Sequence, residues 1–356
     1  MSDSDVATSV VGDASSAPPD WDEQAVHVPG GHVMQSSVWA AYRETRGDVP
    51  HFLSLDDGSV ALAVLRRSPL LPGVEATVRR GPAHRDGTGT SGAARAGALA
   101  AWALEQGARD LFLDPERPAD DGYEAAMDAA GFSRADELEP SIHVMRLDFD
   151  PGADEESLLA DLSKSARQRV RAAERGGTIV VDDQAGDQLE GLLGLMRERA
   201  AALGIPLQEG TDYLRGWRAL LRADLARLLV AEHQDELVGG LFLFRQGGIH
   251  ATAYSADKAS RRRELPGTMH LVRWSAIRDA LAEGASAIEL GGVDLPGHRR
   301  PPQKDAPNHG LYEHKRGFGA RWVERTPARR IVLRPGLERL ARIRRRSVDS
   351  LRRMRR

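Results

Sequence analysis

His51-Phe52-Leu53-Ser54-Leu55, the polar turn Asp56-Asp57-Gly58 and the returning run Val60-Ala61-Leu62-Ala63-Val64-Leu65 read as one β-hairpin. The same pattern returns 177 residues later as Leu228 to Glu232, then Gln234-Asp235-Glu236, then Leu237 to Leu243, with Leu237 in the place of Val60. Each hairpin leads to a further short strand, Val74 to Val78 and Ile249 to Tyr254. Each then reaches a segment with apolar residues at helical spacing: Ala93 to Gln106 with Leu99, Trp102 and Leu104, and Met269 to Glu283 with Leu271, Trp274, Ile277 and Leu281. Both helices stop at Gly-Ala, Gly107-Ala108 and Gly284-Ala285, and both run into a strand, Leu111 to Asp114 and Ile288 to Gly291. One offset held from the hairpin to the final strand marks a duplication, which commits the chain to two similar units.

Two more helices lie between the copies. Asp154 to Arg175 ends at Gly176-Gly177, and Gln188 to Leu203 breaks at Gly204-Ile205-Pro206. The order strand–strand–strand–helix–strand, with helices ahead of the second hairpin, predicts an α/β (α+β) fold whose mixed sheets are flanked by helices. This plan resembles the N-acetyltransferase (GNAT, acyl-CoA N-acyltransferase-like) unit, here in two tandem copies. In that fold two neighbouring strands splay apart and, with the following helix N-terminus, hold the acyl donor. The expected division is a disordered N-terminus over 1–22, a first unit over 23–150 completed by 322–335, a second unit over 151–321, and a basic C-terminal helix over 336–356.

Several chemistries are excluded early. The 356 residues include no cysteine, so there are no disulfides, thiolate nucleophiles or Cys-based zinc sites, in keeping with a reducing cytoplasm. The eleven histidines are scattered and form no HExxH, so no metal is expected. No apolar run approaches the ~18 residues of a membrane span. A net charge of −3 hides an asymmetry, because Arg334 to Arg356 holds ten arginines against Glu338 and Asp349. Nucleic acid and an anionic membrane surface both fit such a tail, and the expected location is cytoplasmic, peripheral at the inner membrane face.

Three segments stand out from the scaffold. Gly31 to Arg43 puts an amide, an indole and a cation on one short helix; Arg79-Arg80-Gly81-Pro82 is a strand end that turns sharply. Gly310 to Glu324 alternates aromatic and basic residues, and as plain structure it reads as a basic surface hairpin. Together they resemble the FemABX family, aminoacyl-tRNA-dependent transferases that add amino acids to peptidoglycan precursors. The family pattern is met by Gln35, Ser36, Trp39, Ala40 and Arg43, by Arg80-Gly81-Pro82, by Asp114-Pro115, and by the Arg-rich helix Arg167 to Arg175. It continues through Tyr254-Ser255 to Lys315, Gly317, Phe318 and Gly319. The likeness runs from about Val28 to Val332.

The resemblance implies transfer of an amino acid from aminoacyl-tRNA to an amine of a peptidoglycan precursor peptide, UDP-MurNAc-pentapeptide or lipid II, for the cell-wall cross-bridge. Aminoacyl-tRNA serves as co-substrate, no other cofactor is needed, and the enzyme is expected as a monomer. It implies that Lys315 stabilises the oxyanion and contacts the tRNA 3′ end, and that Asp114 is a candidate base. Trp39, Tyr254 and Tyr312 would line the cleft, Arg43 would meet a precursor phosphate, and Gln35, Arg80 and His314 complete the substrate-binding set. The second copy would serve the donor and the first the acceptor. Two departures stand out: His314 replaces the family's aromatic, and Gln208 to Tyr213 lacks the arginine that helps hold the diphosphate, with Glu209 near that place. The competing reading is an acetyl-CoA-dependent GNAT N-acetyltransferase. For it, Arg261 to Thr268 lies where the pyrophosphate loop belongs, but with one glycine and with Pro266 lacking a donor.

Overall fold

The computed structural model describes residues 8–68, 71–83, 89–139, 143–204, 210–295 and 298–354. They fall into two compact units, Met1–Leu138 with Arg325–Arg356, and Glu139–Glu324.

In the first unit, strand β1 (Val10–Ala14) and short helix α1 (Trp21–Ala25) precede a 3-10 turn at Val33–Gln35 and helix α2 (Ser37–Glu44). Strands β2 (Val49–Leu55), β3 (Val60–Arg67) and β4 (Val74–Arg79) then run as an antiparallel meander. Helix α3 (Gly89–Glu105) crosses back to β5 (Ala108–Asp114), which pairs parallel with β4, and α4 (Asp121–Ala129) and β6 (Ser133–Arg134) follow. The crossover puts α3 on the sheet, so Leu99, Trp102 and Ala103 pack with Leu53, Ala61, Ala63, Leu111 and Leu113 in one core. Val74, Ala76 and Val78 alternate inward along β4, the period of a half-buried strand.

The second unit begins at β7 (Val144–Asp148) and continues through α5 (Glu155–Asp161), α6 (Lys164–Arg175), β8 (Ile179–Asp182), α7 (Leu189–Leu203) and α8 (Gly210–Arg222). Its central meander is β9 (Ala226–His233), β10 (Glu236–Gln246) and β11 (Ile249–Asp257). Helix α9 (Thr268–Ala282) leads to β12 (Ala287–Glu289), and α10 (His309–Arg316) to β13 (Arg321–Val323). The sheet order is β13-β7-β12-β11-β10-β9-β8. Leu241 and Leu243 join the core made with α6 and α9, while Phe242 between them stacks on Trp217 of α8 at 5.3 Å. Strand alternation thus sends neighbouring residues of β10 to opposite helix layers. The chain then returns to the first unit, where β14 (Arg329–Val332) inserts between β5 and β6 and α11 (Pro335–Met354) follows.

Four features correct the sequence reading. The N-terminus is not disordered throughout: β1 pairs antiparallel with β2, and Asp13 holds His51 Nδ1 and Trp102 Nε1, each at 2.9 Å. An edge strand needs backbone partners more than a long apolar run, so five residues set among Ser- and Asp-rich neighbours concealed it. Residues 144–148 belong to the second sheet, because β7 pairs with β12 and β13. The helix expected over Asp154 to Arg175 is two helices: Ser163 caps α6 through Ala166 N at 3.1 Å, and its own N–H bonds to Gly317 O at 2.8 Å. The Gly310 to Glu324 segment is helix α10 followed by a strand, not a hairpin.

Candidate functional site

The two copies differ where β4 meets β5 and where β11 meets β12. The first pair stays in register from Glu75 to Arg79, ending at Arg79 opposite Asp114. The second pairs only His250 with Ile288 and Ala251 with Glu289. Beyond that point the chain after β12 stays with β7, through Leu290 N to Met145 O at 2.7 Å and Met145 N to Gly291 O at 3.1 Å. On β11, Phe242 opposes Tyr254 and Leu243 opposes Thr252, leaving Ala253 as a bulge that bends the strand away. The strands therefore splay in the second unit, and the β11–β12 ladder does not extend along Thr252 to Asp257.

Lys315 stands at the mouth of this splay. It is 4% exposed, and its Nζ donates to Gly292 O at 2.8 Å. Gly291 has φ +80, and a Cβ there would lie 3.3 Å from Thr252 O and 3.4 Å from Lys315 Nζ, so glycine permits strand, loop and amine to converge. Burial, and next the Arg273 guanidinium, hold the Lys315 amine well below the usual lysine range, with Asp294 opposing them.

His314 beside it sits in a polar chain. Arg273 donates to His314 Nε2 at 3.0 Å, so the imidazole proton is on Nδ1 and is donated to His270 Nε2, also at 3.0 Å. Arg273 also donates to Ser255 Oγ and to Met269 O, each at 3.3 Å. Burial pushes His314 down to about 2, His270 to about 4 and Arg273 to about 10. Sequence reading missed Arg273, although α9 offered a signal. It buries Leu271, Val272, Trp274, Ala276 and Ile277 around its circumference, and Arg273 in their midst is buried with them.

The other expected residues fall into place unit by unit. Tyr254 packs in an aromatic cluster with Tyr213, Trp217 and Phe242, at ring distances of 5.6, 4.9 and 6.3 Å. Tyr312 lies under Arg316 at 5.8 Å. In the first unit Trp39 rests against Tyr42 at 5.2 Å, and Arg43 is ion-paired with buried Asp48 at 2.6 Å. Arg80 pairs with Glu116, which Arg325 also holds. Residues 205–209, which include Gln208 and Glu209, lie outside the described residues.

Two assignments change. Gln35 is wholly buried; its Nε2 donates to Arg79 O at 2.6 Å and its Oε1 accepts from Leu62 N at 2.8 Å. Direct β3–β4 pairing ends at Val64 opposite Thr77, and the amide bridges the two strands beyond it. Gln35 is a strut and not a ligand-facing group. Asp114 is no free base either: Oδ2 accepts from Arg79 Nε and Oδ1 from Arg80 N, both at 2.7 Å, latching the ends of β4 and β5.

The nucleotide cradle that the GNAT fold implies does not fit a pyrophosphate here. At the start of α9, Pro266 has no N–H, and a Cβ on Gly267 would lie 2.1 Å from Arg169 O of α6, which crowds that helix end. Lys258, Arg261 and Arg262 nearby are ion-paired to Glu236, Glu264 and Asp257. Among the described residues no group of acidic or histidine side chains could hold a metal ion.

Splay, meander and crossover helix define a tandem GNAT-like fold, and residues 160–316 match the model of the acetyltransferase (GNAT) domain. The solved structure of FemX superposes with a TM-score of 0.76 at 19% identity, covering 93% of this chain and 99% of that one. A conserved protein of unknown function from Bacteroides thetaiotaomicron gives 0.55 at 12% identity, over 89% and 98% of the chains. The C-terminal domain of a putative lysylphosphatidylglycerol synthetase from Agrobacterium fabrum gives 0.50 at 14%, over 79% and 83%. At these identities the likeness establishes the fold. No curated protein matches the sequence.

Proposed function

We propose that this chain moves an amino acid from aminoacyl-tRNA onto an amine of a peptidoglycan precursor peptide. The carrying observation is Lys315, a buried amine at the mouth of the splay in a unit whose nucleotide cradle is blocked. The FemABX motifs along the sequence and the FemX-like fold over 93% of the chain support the same reading. An aminoacyl ester is already activated, so the protein needs only to position the amine and meet the charge that develops on the carbonyl oxygen. Lys315 Nζ meets that oxygen, and Thr252, Tyr254 and Ser255 on the splayed half of β11 flank the donor.

Among the described residues no helix is long and apolar enough to cross a membrane. Helix α11 is tied to its unit by Glu338, which pairs with Arg109 and Arg330 at 3.0 and 2.9 Å, and it leaves Leu340 and Ile343 more than half exposed among arginines. In the proposed role this basic tail attaches the enzyme to an anionic surface where its acceptor is made.

The test is incubation with a pool of charged tRNAs and labelled soluble or lipid-linked precursors, followed by product mass. Transfer that is lost in Lys315→Met, with the melting temperature kept, is the expected result. No transfer to any precursor, together with a melting temperature raised by acetyl-CoA and not by charged tRNA, would overturn the proposal.

A further inference from the structure

We propose that Lys315 rests as a neutral amine that takes and returns the nucleophile's proton, and that Arg273 is the positioning residue holding it in that state. The inference rests on the transfer reading above and supplies the base that Asp114, latched to Arg79 and Arg80, does not provide.

An ammonium carries three donors and needs acceptors for them, yet among the described residues buried Lys315 has one, the Gly292 carbonyl. Arg273 is buried in the same unit, and among the described residues its Nε has no hydrogen-bond partner and no carboxylate is ion-paired to it or to Lys315. Of two buried bases with no ion-paired carboxylate among the described residues, the guanidinium keeps its proton and the amine gives its proton up. The facing groups agree with this. Asp294, on the segment after β12, alone favours the ammonium. His314 on α10 and His270 on α9 are neutral, Glu289 of β12 is paired with Arg146 of β7, and Asp257 of β11 is paired with Arg262.

The step balances without a further reactant. The acceptor enters as the free amine, its extra proton left to water. Its nitrogen attacks the ester carbonyl carbon, and as the C–N bond forms one N–H proton passes to Lys315 Nζ. The cation therefore appears at the moment the carbonyl oxygen becomes an oxyanion, which favours the transition state over the ground state. Collapse breaks the carbon–oxygen bond to the ribose, the ribose oxygen takes that proton, and Lys315 is neutral again.

The chain has four lysines, Lys164, Lys258, Lys304 and Lys315, so ¹³C-labelling at lysine Cε gives four signals that report each amine in the intact protein. The Lys315 signal should titrate well below the other three. Arg273→Met should raise its titration and Asp294→Asn lower it, with the acidic limb of kcat/KM moving in the same directions. A Lys315 that titrates with the other three in the unaltered protein overturns the proposal, as does one that Arg273→Met leaves in place. The titration needs no substrate. A low-titrating Lys315 in a protein that transfers nothing overturns the transfer reading and leaves the state of the amine standing.

Discussion

Replacing Gln35 with methionine tests whether its amide binds substrate or braces the first sheet. Methionine fills nearly the same volume, so little cavity is expected; what is lost is polar pairing. The substitution strands the buried Leu62 N–H and the Arg79 carbonyl, bonded to the amide at 2.8 and 2.6 Å. Each stranded backbone group costs about 1–3 kcal/mol, so the loss should be about 2–6 kcal/mol. For a unit of this size that corresponds to a fall in melting temperature on the order of 5–20 °C. The assay is calorimetry or urea unfolding, with the transitions of the two units followed separately, since a two-unit chain is not a single two-state system. The transition of the first unit should fall and that of the second should stay. A methionine variant that keeps its first-unit stability within about 0.5 kcal/mol while losing acceptor binding would refute the strut and restore Gln35 as a ligand.

Two further outcomes follow from the second unit. Gly267→Ala places a Cβ against the Arg169 carbonyl at a φ of +97, and should cost about 2–4 kcal/mol in that unit's urea transition; a loss under 1 kcal/mol would mean that α6 yields there easily. His270 and His314 are neutral when folded, with values near 4 and 2, but protonate near 6.5 when unfolded. The unfolded state therefore binds more protons below that value, and stability present above pH 6.5 is lost as pH falls. Between pH 7 and pH 5 the loss should be about 2 kcal/mol per histidine, and His314→Phe should roughly halve the slope of unfolding midpoint against pH; an unchanged slope would contradict the buried neutral pair.

Sequence alone determined the duplication and most of the element plan, because hydrophobic period and turn chemistry act over a few residues. The Gly58 turn sets the first hairpin, and Gly107 and Gly284 end equivalent helices. Lys315 stood out only through its resemblance to a family motif; nothing local showed that it would be buried. Asp114 and Gln35 read as candidate ligands because a carboxylate or an amide looks the same in sequence whether it faces solvent or backbone. Only the tertiary structure decided that question, by bringing Arg79 within 2.7 Å of Asp114 and Leu62 within 2.8 Å of Gln35. The unlike fates of the two copies were decided there too. The hairpin pattern is shared, but the Ala253 bulge and the preference of the chain after β12 for β7 open one sheet, while the other stays paired to its end. A polar side chain's role depends on desolvation and on partners distant in sequence, and the fold supplies both.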